Sequence, residues 1–209
     1  MSNMSIRFAA PRRRIGTIAV AAAVVTATLA HDATAKPDPV KAAALAKHLA
    51  AASTTIRSAT SSVLKLEAAI EQFNDVQGAL PKAKVIRAAC ETVSSSGADR
   101  RLTTMSVPPA LQSRHLRLAA SFTQASDSCV DITPTLDTAI ASLELAVQTR
   151  TVTDLTTALE DLTAAIRDAK DLGRKLRPCA QARAAWRFTV LQYATATGLK
   201  PPLWVKNLK

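Results

Sequence analysis

The chain has few aromatic side chains and few glycines, and both shortages restrict what it can be. Aromatic residues make up only 3% of the 209 residues, although 48% are hydrophobic, so alanine and aliphatic side chains must form any core. No two of the five glycines are adjacent, which leaves no glycine-rich phosphate-binding loop. The sequence also contains no nucleophile elbow and no Walker-type motif. We therefore expect a protein that is not an enzyme and that carries no cofactor or metal.

The first residues contain arginines but no acidic side chain. Four arginines precede the first acid, Asp32, and residues 15–30 carry no charge. The small-x-small sequence Ala33-Thr34-Ala35 follows, and this order is typical of a cleavable bacterial signal peptide, which we predict for residues 1–35. The 16 uncharged residues are fewer than the roughly 20 of a spanning helix, and an uncleaved anchor is the alternative. We expect a secreted or envelope-associated protein, with the general and twin-arginine export routes both open.

Hydrophobic spacing predicts an all-α protein, because no strand pattern of useful length occurs. From Leu45 to Phe73, apolar residues recur in an unbroken 4,3 rhythm, as on the buried face of a long helix. The predicted helices span about 38–76, about 82–96, 109–149 as one bent helix or two nearly collinear ones divided at Pro134, and the stretch from Thr151 to Gly198 with Pro178 inside it. The residues predicted to face inward include Val85, Val147, Leu155 and Leu159. Proline bends a helix by removing a hydrogen bond. We predict that residues 36–209 form one domain, an elongated up-and-down bundle of three long helices, two of them kinked at proline, and one short helix.

Three cysteines, Cys90, Cys129 and Cys179, fall within the predicted domain. Outside the cytoplasm a disulfide is admissible. The helix lengths place Cys90 and Cys129 at similar heights in the bundle. Cys129 and Cys179 differ by about six residues, roughly 9 Å of helix rise, which is too far for a disulfide. We predict a Cys90–Cys129 disulfide with Cys179 free, and three buried thiols are the alternative.

His115 occupies a position in an apolar seam where a hydrophobic residue is expected. One interpretation is a ligand for haem or a metal ion; the other is a histidine hydrogen-bonded inside the bundle or near its end. We favour the second, because His48 is the only other histidine after residue 35 and no C-x-x-C-H sequence occurs. The Glu-x-x-His motif of di-metal bundles is also missing, since Leu45 and Gln112 stand three residues before the two histidines. We predict His48 on the flank of its helix, one position off the seam.

The excess positive charge of the predicted domain lies in its last 43 residues. Residues 36–166 contain 13 basic and 13 acidic side chains, whereas residues 167–209 contain 10 basic and 2 acidic ones. Four of the six aromatic residues after residue 35 lie there too. Basic residues interleaved with aromatics can bind anionic polymers or lipid headgroups. Within the segment 178–209, the predicted contact surface consists of Arg183, Trp186, Arg187, Lys200, Trp204 and Lys206. In the alternative, Trp186 and Tyr193 belong to the core and the lysines are simply solvated.

Part of the chain resembles a group of exported bacterial helical-bundle proteins. In these proteins a Pro-Pro pair opens a helix and a histidine follows within two turns, as Pro108, Pro109, Leu111 and His115 do here. The tail from Trp186 to Trp204, with its glycine and proline, resembles the end of some of them. The resemblance implies export and an all-helical fold, and it implies no activity.

We therefore expect an exported, non-catalytic bundle whose C-terminal segment contacts an acidic envelope polymer, a membrane surface or another exported protein. A carrier of haem or of a small ligand, using His115, is one alternative. An inhibitor or chaperone of an exported enzyme is another. Nucleic acid is not an expected partner for an exported protein. The sequence leaves open a monomer or a homodimer, because so regular a seam could also pair two chains.

Overall fold

The computed structural model describes residues 37–208, which contain helices and connecting segments and no strand. The predicted signal peptide, residues 1–35, lies outside the described residues. In chain order the helices are α1 (Pro39–Gln72), α2 (Ala79–Ser95), α3 (Ala98–Thr103), α4 (Pro109–Thr149), α5 (Val152–Thr197) and α6 (Leu203–Lys206). The predicted all-α bundle is confirmed, with α1, α4 and α5 as the long helices and α2 as the short one. The two shortest helices, α3 and α6, were not predicted.

Local sequence signals account for the ends of the long helices. Asp38 caps α1, because its carboxylate accepts hydrogen bonds from the backbone N–H groups of Val40 and Lys41 at 3.1 and 3.0 Å. Thr151 caps α5, since its hydroxyl oxygen accepts from the N–H of Asp154 at 3.2 Å. Between α4 and α5 the chain reverses at Arg150, which has a positive φ of 55°. A single residue in the left-handed conformation thus closes the hairpin.

The prolines inside α4 and α5 do not end either helix. α4 continues through Pro134 for 41 residues, and α5 continues through Pro178 for 46 residues, or roughly 69 Å. Tertiary packing on both sides of each proline offsets the backbone hydrogen bond that the ring removes. Within residues 37–208, no helix has both the length and the apolar character needed to cross a membrane.

The four principal helices surround one core. α1 packs against α2 and α5, and α4 packs against the same two helices from the opposite side. The short α3 lies against α1 and α4. Core side chains are mostly alanine, leucine, isoleucine and valine, as the shortage of aromatics requires, with Trp186 as the largest.

The α4–α5 hairpin extends past the end of α1. Gly173 of α5 lies against Ile70, close to the last turn of α1, so the first turns of α5, which begins 21 residues earlier, lie beyond the end of α1. The prediction that Val147, Leu155 and Leu159 face inward was therefore wrong, because all three are exposed. In α2 the buried face runs through Ile86 and Cys90, so Val85, also predicted to face inward, is exposed.

After α5, the C-terminal tail folds back along the bundle. Gly198 ends α5 with a φ of +76° and lies against Pro37, the first described residue. The indole of Trp204 then stacks on that of Trp186 with ring centroids 6.0 Å apart and planes inclined by 22°. The guanidinium of Arg187 donates a hydrogen bond to the carbonyl of Leu208 at 3.4 Å. These contacts hold α6 against α5.

Candidate functional site

The structure divides the predicted C-terminal contact surface into an inner and an outer part. Arg183 and Trp186 are 1% and 0% exposed, so including them in a solvent-facing surface was wrong. Both lie on the inward stripe of α5, where an i, i+3 pair occupies the same face of the helix. Lys200 and Lys206 are exposed, whereas Arg187 and Trp204 are partly buried. Of the six residues predicted to form the contact surface, four remain at least partly accessible to solvent: Arg187, Lys200, Trp204 and Lys206.

The buried Arg183 links α5 to α1. Its guanidinium lies 3.8 Å from the carboxylate of Glu67 and donates a hydrogen bond to the sulfur of Cys179 at 3.4 Å. Burial raises the pKa of Glu67, and the positive charge of Arg183 opposes that shift. Because a buried charge must be paired, this arginine belongs to the interior of the bundle rather than to a ligand surface.

A groove of about 1000 Å³ lies between α1 and the C-terminal tail. Its wall on α1 carries hydroxyl groups and two cations, Arg57 and Lys65, and its lining contains no acidic residue. The tail supplies Leu203, which is 74% exposed, and Trp204. The complete lining is Thr54, Arg57, Ser58, Thr60, Ser61, Leu64, Lys65, Ala68, Leu203, Trp204, Asn207 and Leu208. We call this feature the α1–tail groove.

Inside the α1–tail groove, Thr60 is buried and has an unsatisfied hydroxyl. Its Oγ1 finds no hydrogen-bond partner among the described residues. A buried hydroxyl without a partner costs about 1–3 kcal/mol of stability, and because this oxygen is not accessible from the groove it is not a contact for a ligand there. The groove thus combines cations, hydroxyl groups and an aromatic face.

Sequence reasoning missed Arg57 and Lys65, because it searched for basic residues only near the C-terminus. A signal was nevertheless present on α1. Thr54, Ser58, Ser61 and Lys65 are spaced 4,3,4, the same rhythm as the buried seam but on another face. Such a stripe of hydroxyl groups ending in a cation marks a polar face of the helix, although it does not reveal that the tail returns to it.

A second unusual site lies where α3 covers α1 and α4. Nδ1 of His48 lies 3.0 Å from the carbonyl oxygen of Ser106, and Nε2 of His115 lies 2.9 Å from that of Leu102. A carbonyl oxygen only accepts, so each of these ring nitrogens must donate its proton. The two rings contact each other with centroids 4.9 Å apart and planes at 71°. We call this feature the histidine pair.

Both histidines are buried, which corrects the prediction that His48 lies on the flank of its helix. The flank position is covered because α3 and the segment after it fold over this end of α1. Burial lowers the pKa of both imidazoles, and the neighbouring His115 lowers that of His48 further. The remaining nitrogens, Nε2 of His48 and Nδ1 of His115, have no partner among the described residues. The enclosed, hydrogen-bonded position of His115 lends no support to a haem ligand.

The structure brings together the two cysteines that were predicted to pair. The thiols of Cys90 and Cys129 are in hydrogen-bonding contact, and this contact, together with burial, raises the pKa of Cys129. Both are free, buried thiols in the structure, as is Cys179. Burial also raises the pKa of Cys179, and a hydrogen-bonding contact with Ser121 and the charge of Arg183 oppose that shift. Cys179 is therefore an unreactive thiol rather than a nucleophile.

Comparison of the chain with family models, with curated proteins and with solved structures finds no match in any of the three.

Proposed function

We propose that this protein is an exported, non-catalytic helical bundle that binds an acidic polymer of the cell envelope in the α1–tail groove. The observation that carries the proposal is the composition of the groove, which has two cations and an aromatic side chain and no acid. An open groove lined by hydroxyl groups suits a chain of polar units that can lie along it.

Charge supports an acidic ligand. Arg57 and Lys65 are both exposed and stand eight residues apart on α1, about 12 Å along the helix axis. Neither takes part in a salt bridge among the described residues. Lys200 and Lys206 on the neighbouring tail add to the same positive potential. The two helical cations can therefore contact successive acidic groups of one polymer.

The chemistry of the remaining lining favours a sugar-like backbone over an acyl chain. Trp204 has one face stacked on Trp186, and it also lines the groove. Thr54, Ser58 and Ser61 offer exposed hydroxyl donors and acceptors, which an acyl chain could not use. An acidic polysaccharide presents carboxylates for the cations and hydroxyl groups for these side chains.

The experiment compares two charge-reversal variants with the same change in net charge. Arg57→Glu with Lys65→Glu alters the groove, and Lys170→Glu with Arg177→Glu alters exposed residues seven positions apart on α5, outside the groove. Point variants are preferred to deletion of residues 178–209, because deletion would remove Trp186 from the core. Retention is measured on isolated bacterial envelopes, on polygalacturonate and on phosphatidylglycerol vesicles over a salt series.

We expect the groove variant to lose binding to envelopes and to polygalacturonate by at least about tenfold, and the α5 variant to bind like the unmodified protein. Binding should weaken as salt rises, because exposed charges are screened over about 8 Å at physiological ionic strength. An equal loss of binding in both variants would show that the net charge of the protein, and not the groove, determines binding, and would overturn the proposal. Binding to the vesicles but not to polygalacturonate would indicate that the groove binds lipid headgroups, and it would overturn the proposal of a polymer ligand.

Export also makes a disulfide chemically accessible, and we propose that Cys90 and Cys129 form one in the mature protein. Their thiols would lose two protons and two electrons to a disulfide oxidant of the exporting compartment. The bond would join α2, which contains Cys90, to α4, which contains Cys129. Intact mass before and after alkylation of the denatured protein tests this: one alkylated cysteine supports the disulfide, and three refute it.

A further inference from the structure

The histidine pair has the features of a site that holds a ligand. The two N–H···O=C hydrogen bonds to Ser106 and Leu102 fix the neutral tautomer of each ring. As a consequence, Nε2 of His48 and Nδ1 of His115 each present an unshared electron pair. Both nitrogens are buried, and neither has a hydrogen-bond partner among the described residues. Two buried acceptors without a donor are costly.

We propose that the histidine pair binds a monovalent copper ion, coordinated by Nε2 of His48 and Nδ1 of His115. Metal-binding histidines characteristically donate their other ring N–H to a backbone carbonyl or carboxylate, which orients the ring and sets the tautomer. Both histidines here already make that second contact. The proposal is independent of the α1–tail groove, which lies between α1 and the tail and not beneath α3.

The separation of the ring centroids is compatible with a shared ion. With both free nitrogens turned to one ion, a metal–imidazole bond of about 2.0 Å would place each ring centroid roughly 3.2 Å from the metal, and centroids 4.9 Å apart would subtend about 100° at it. Such an angle would suit a trigonal or tetrahedral site rather than a linear one. One or two further coordination positions therefore stay available.

The available donors favour monovalent copper over zinc. Within residues 37–208, no third histidine, cysteine, aspartate or glutamate joins the pair to form a larger metal-binding group. A zinc ion would lack the four ligands it usually takes. Met105 belongs to the segment between Leu102 and Ser106 and is partly buried against the core. A thioether is a soft donor that selects Cu(I), and imidazole suits copper as well.

The test uses variants that keep the backbone hydrogen bonds. Asparagine places its amide nitrogen near the position of Nδ1, and glutamine places its own near that of Nε2. His48→Asn with His115→Gln therefore retains donors toward Ser106 and Leu102 and removes both ring electron pairs. Circular dichroism and the urea midpoint at pH 7.5 report whether the variant folds. Cu(I) affinity is measured by competition with bathocuproine disulfonate under anaerobic conditions.

Cysteine thiolates also bind Cu(I), so a second variant tests whether Cys90 and Cys129 account for the binding. Cys90→Ser with Cys129→Ser removes the adjacent thiols, of which Cys129 stands 14 residues after His115, about 21 Å along α4. The two candidate sites are thus separable. A third variant, Met105→Leu, removes the thioether and keeps an apolar side chain of similar size.

We expect one Cu(I) ion per chain, and the cysteine variant should bind it with unchanged affinity. The histidine variant should bind it more than about 100-fold more weakly, because this change removes ligands, whereas loss of an outer-shell partner costs about 10–100-fold. A smaller loss in Met105→Leu would identify the thioether as the third ligand, and no loss would leave a two-histidine site. Copper binding that disappears with the cysteines, or that survives in a folded histidine variant, would overturn the proposal. Absence of any binding would leave the pair as a water-bridged structural contact and would overturn it too.

Discussion

The histidine pair should make the metal-free protein sensitive to mild acid. The perturbation is a decrease of pH from 7.5 to 5.0 in the presence of a chelator. Burial lowers the pKa of His48 and of His115 in the folded protein below the ordinary value of 6.5, whereas both return to that value on unfolding. The unfolded chain therefore binds protons that the folded chain does not. The free energy of unfolding must fall as pH drops below 6.5 and level off below the folded pKa values.

The magnitude follows from the number of groups involved. Each unit by which a folded pKa lies below its unfolded value removes about 1.4 kcal/mol of stability once the pH is below both. Both histidines shift in the same direction, so their losses add, and they act on the roughly 5–15 kcal/mol that stabilises a typical domain. Burial raises the pKa of Glu67, whose protonation acts in the opposite direction and is common to the two proteins compared below.

The assay is urea denaturation followed by circular dichroism at closely spaced pH values. His48→Asn with His115→Gln provides the comparison, because the variant keeps amide donors and lacks both imidazoles. We expect the free energy of unfolding to fall more steeply below pH 6.5 in the unmodified protein than in the variant. Parallel profiles would refute the reasoning, since they would show that the imidazoles ionise as easily in the folded state as in the unfolded one.

Four substitutions test other parts of the fold by thermal denaturation. Gly198→Ala should destabilise by about 2 kcal/mol or more, because φ is +76° and the new Cβ would lie 2.8 Å from that of Pro37. Gly97→Ala, also at positive φ but with open space around it, should cost only about 1 kcal/mol; equal losses would discount the Pro37 contact. Arg150→Gly should stabilise by up to about 1 kcal/mol, since its φ of 55° suits glycine, and no change would indicate an unstrained turn. Trp204→Ala should cost about 2 kcal/mol and expose the tail to proteolysis, whereas a protected tail would mean that the indole stack does not hold it.

The C-terminal charge illustrates how a fold redistributes a compositional signal. Ten basic residues after Ile166 suggested one continuous surface. In the structure, Arg183 enters the core beside Glu67, and Arg187 is partly occupied by the carbonyl of Leu208. Leu203 and Trp204 of the tail instead line one groove together with two cations of α1, Arg57 and Lys65. The α1–tail groove is therefore formed by both ends of the described chain.

The sequence by itself determined the helices and most of their inward faces. Periodicity placed α4 over 109–149, Asp38 and Thr151 signalled the starts of α1 and α5, and the 4,3 seam of α1 from Leu45 to Phe73 is buried. These features depend on neighbours within one or two helical turns, where spacing in the sequence is spacing in space. The proximity of Cys90 and Cys129 also followed from helix lengths, because rise per residue is constant.

Only the tertiary structure decided which faces of different helices meet. A helical period specifies a stripe on one helix, but it does not specify the rotation or height of the helix that covers the stripe. For this reason Leu155 was predicted inside and is exposed, while His48 was predicted on a flank and is buried against His115. For the same reason the sequence did not predict the α1–tail groove, because Lys65 and Trp204 line one groove only when the tail folds back. Contacts between residues so distant in sequence depend on packing of the whole chain, and no local pattern encodes them.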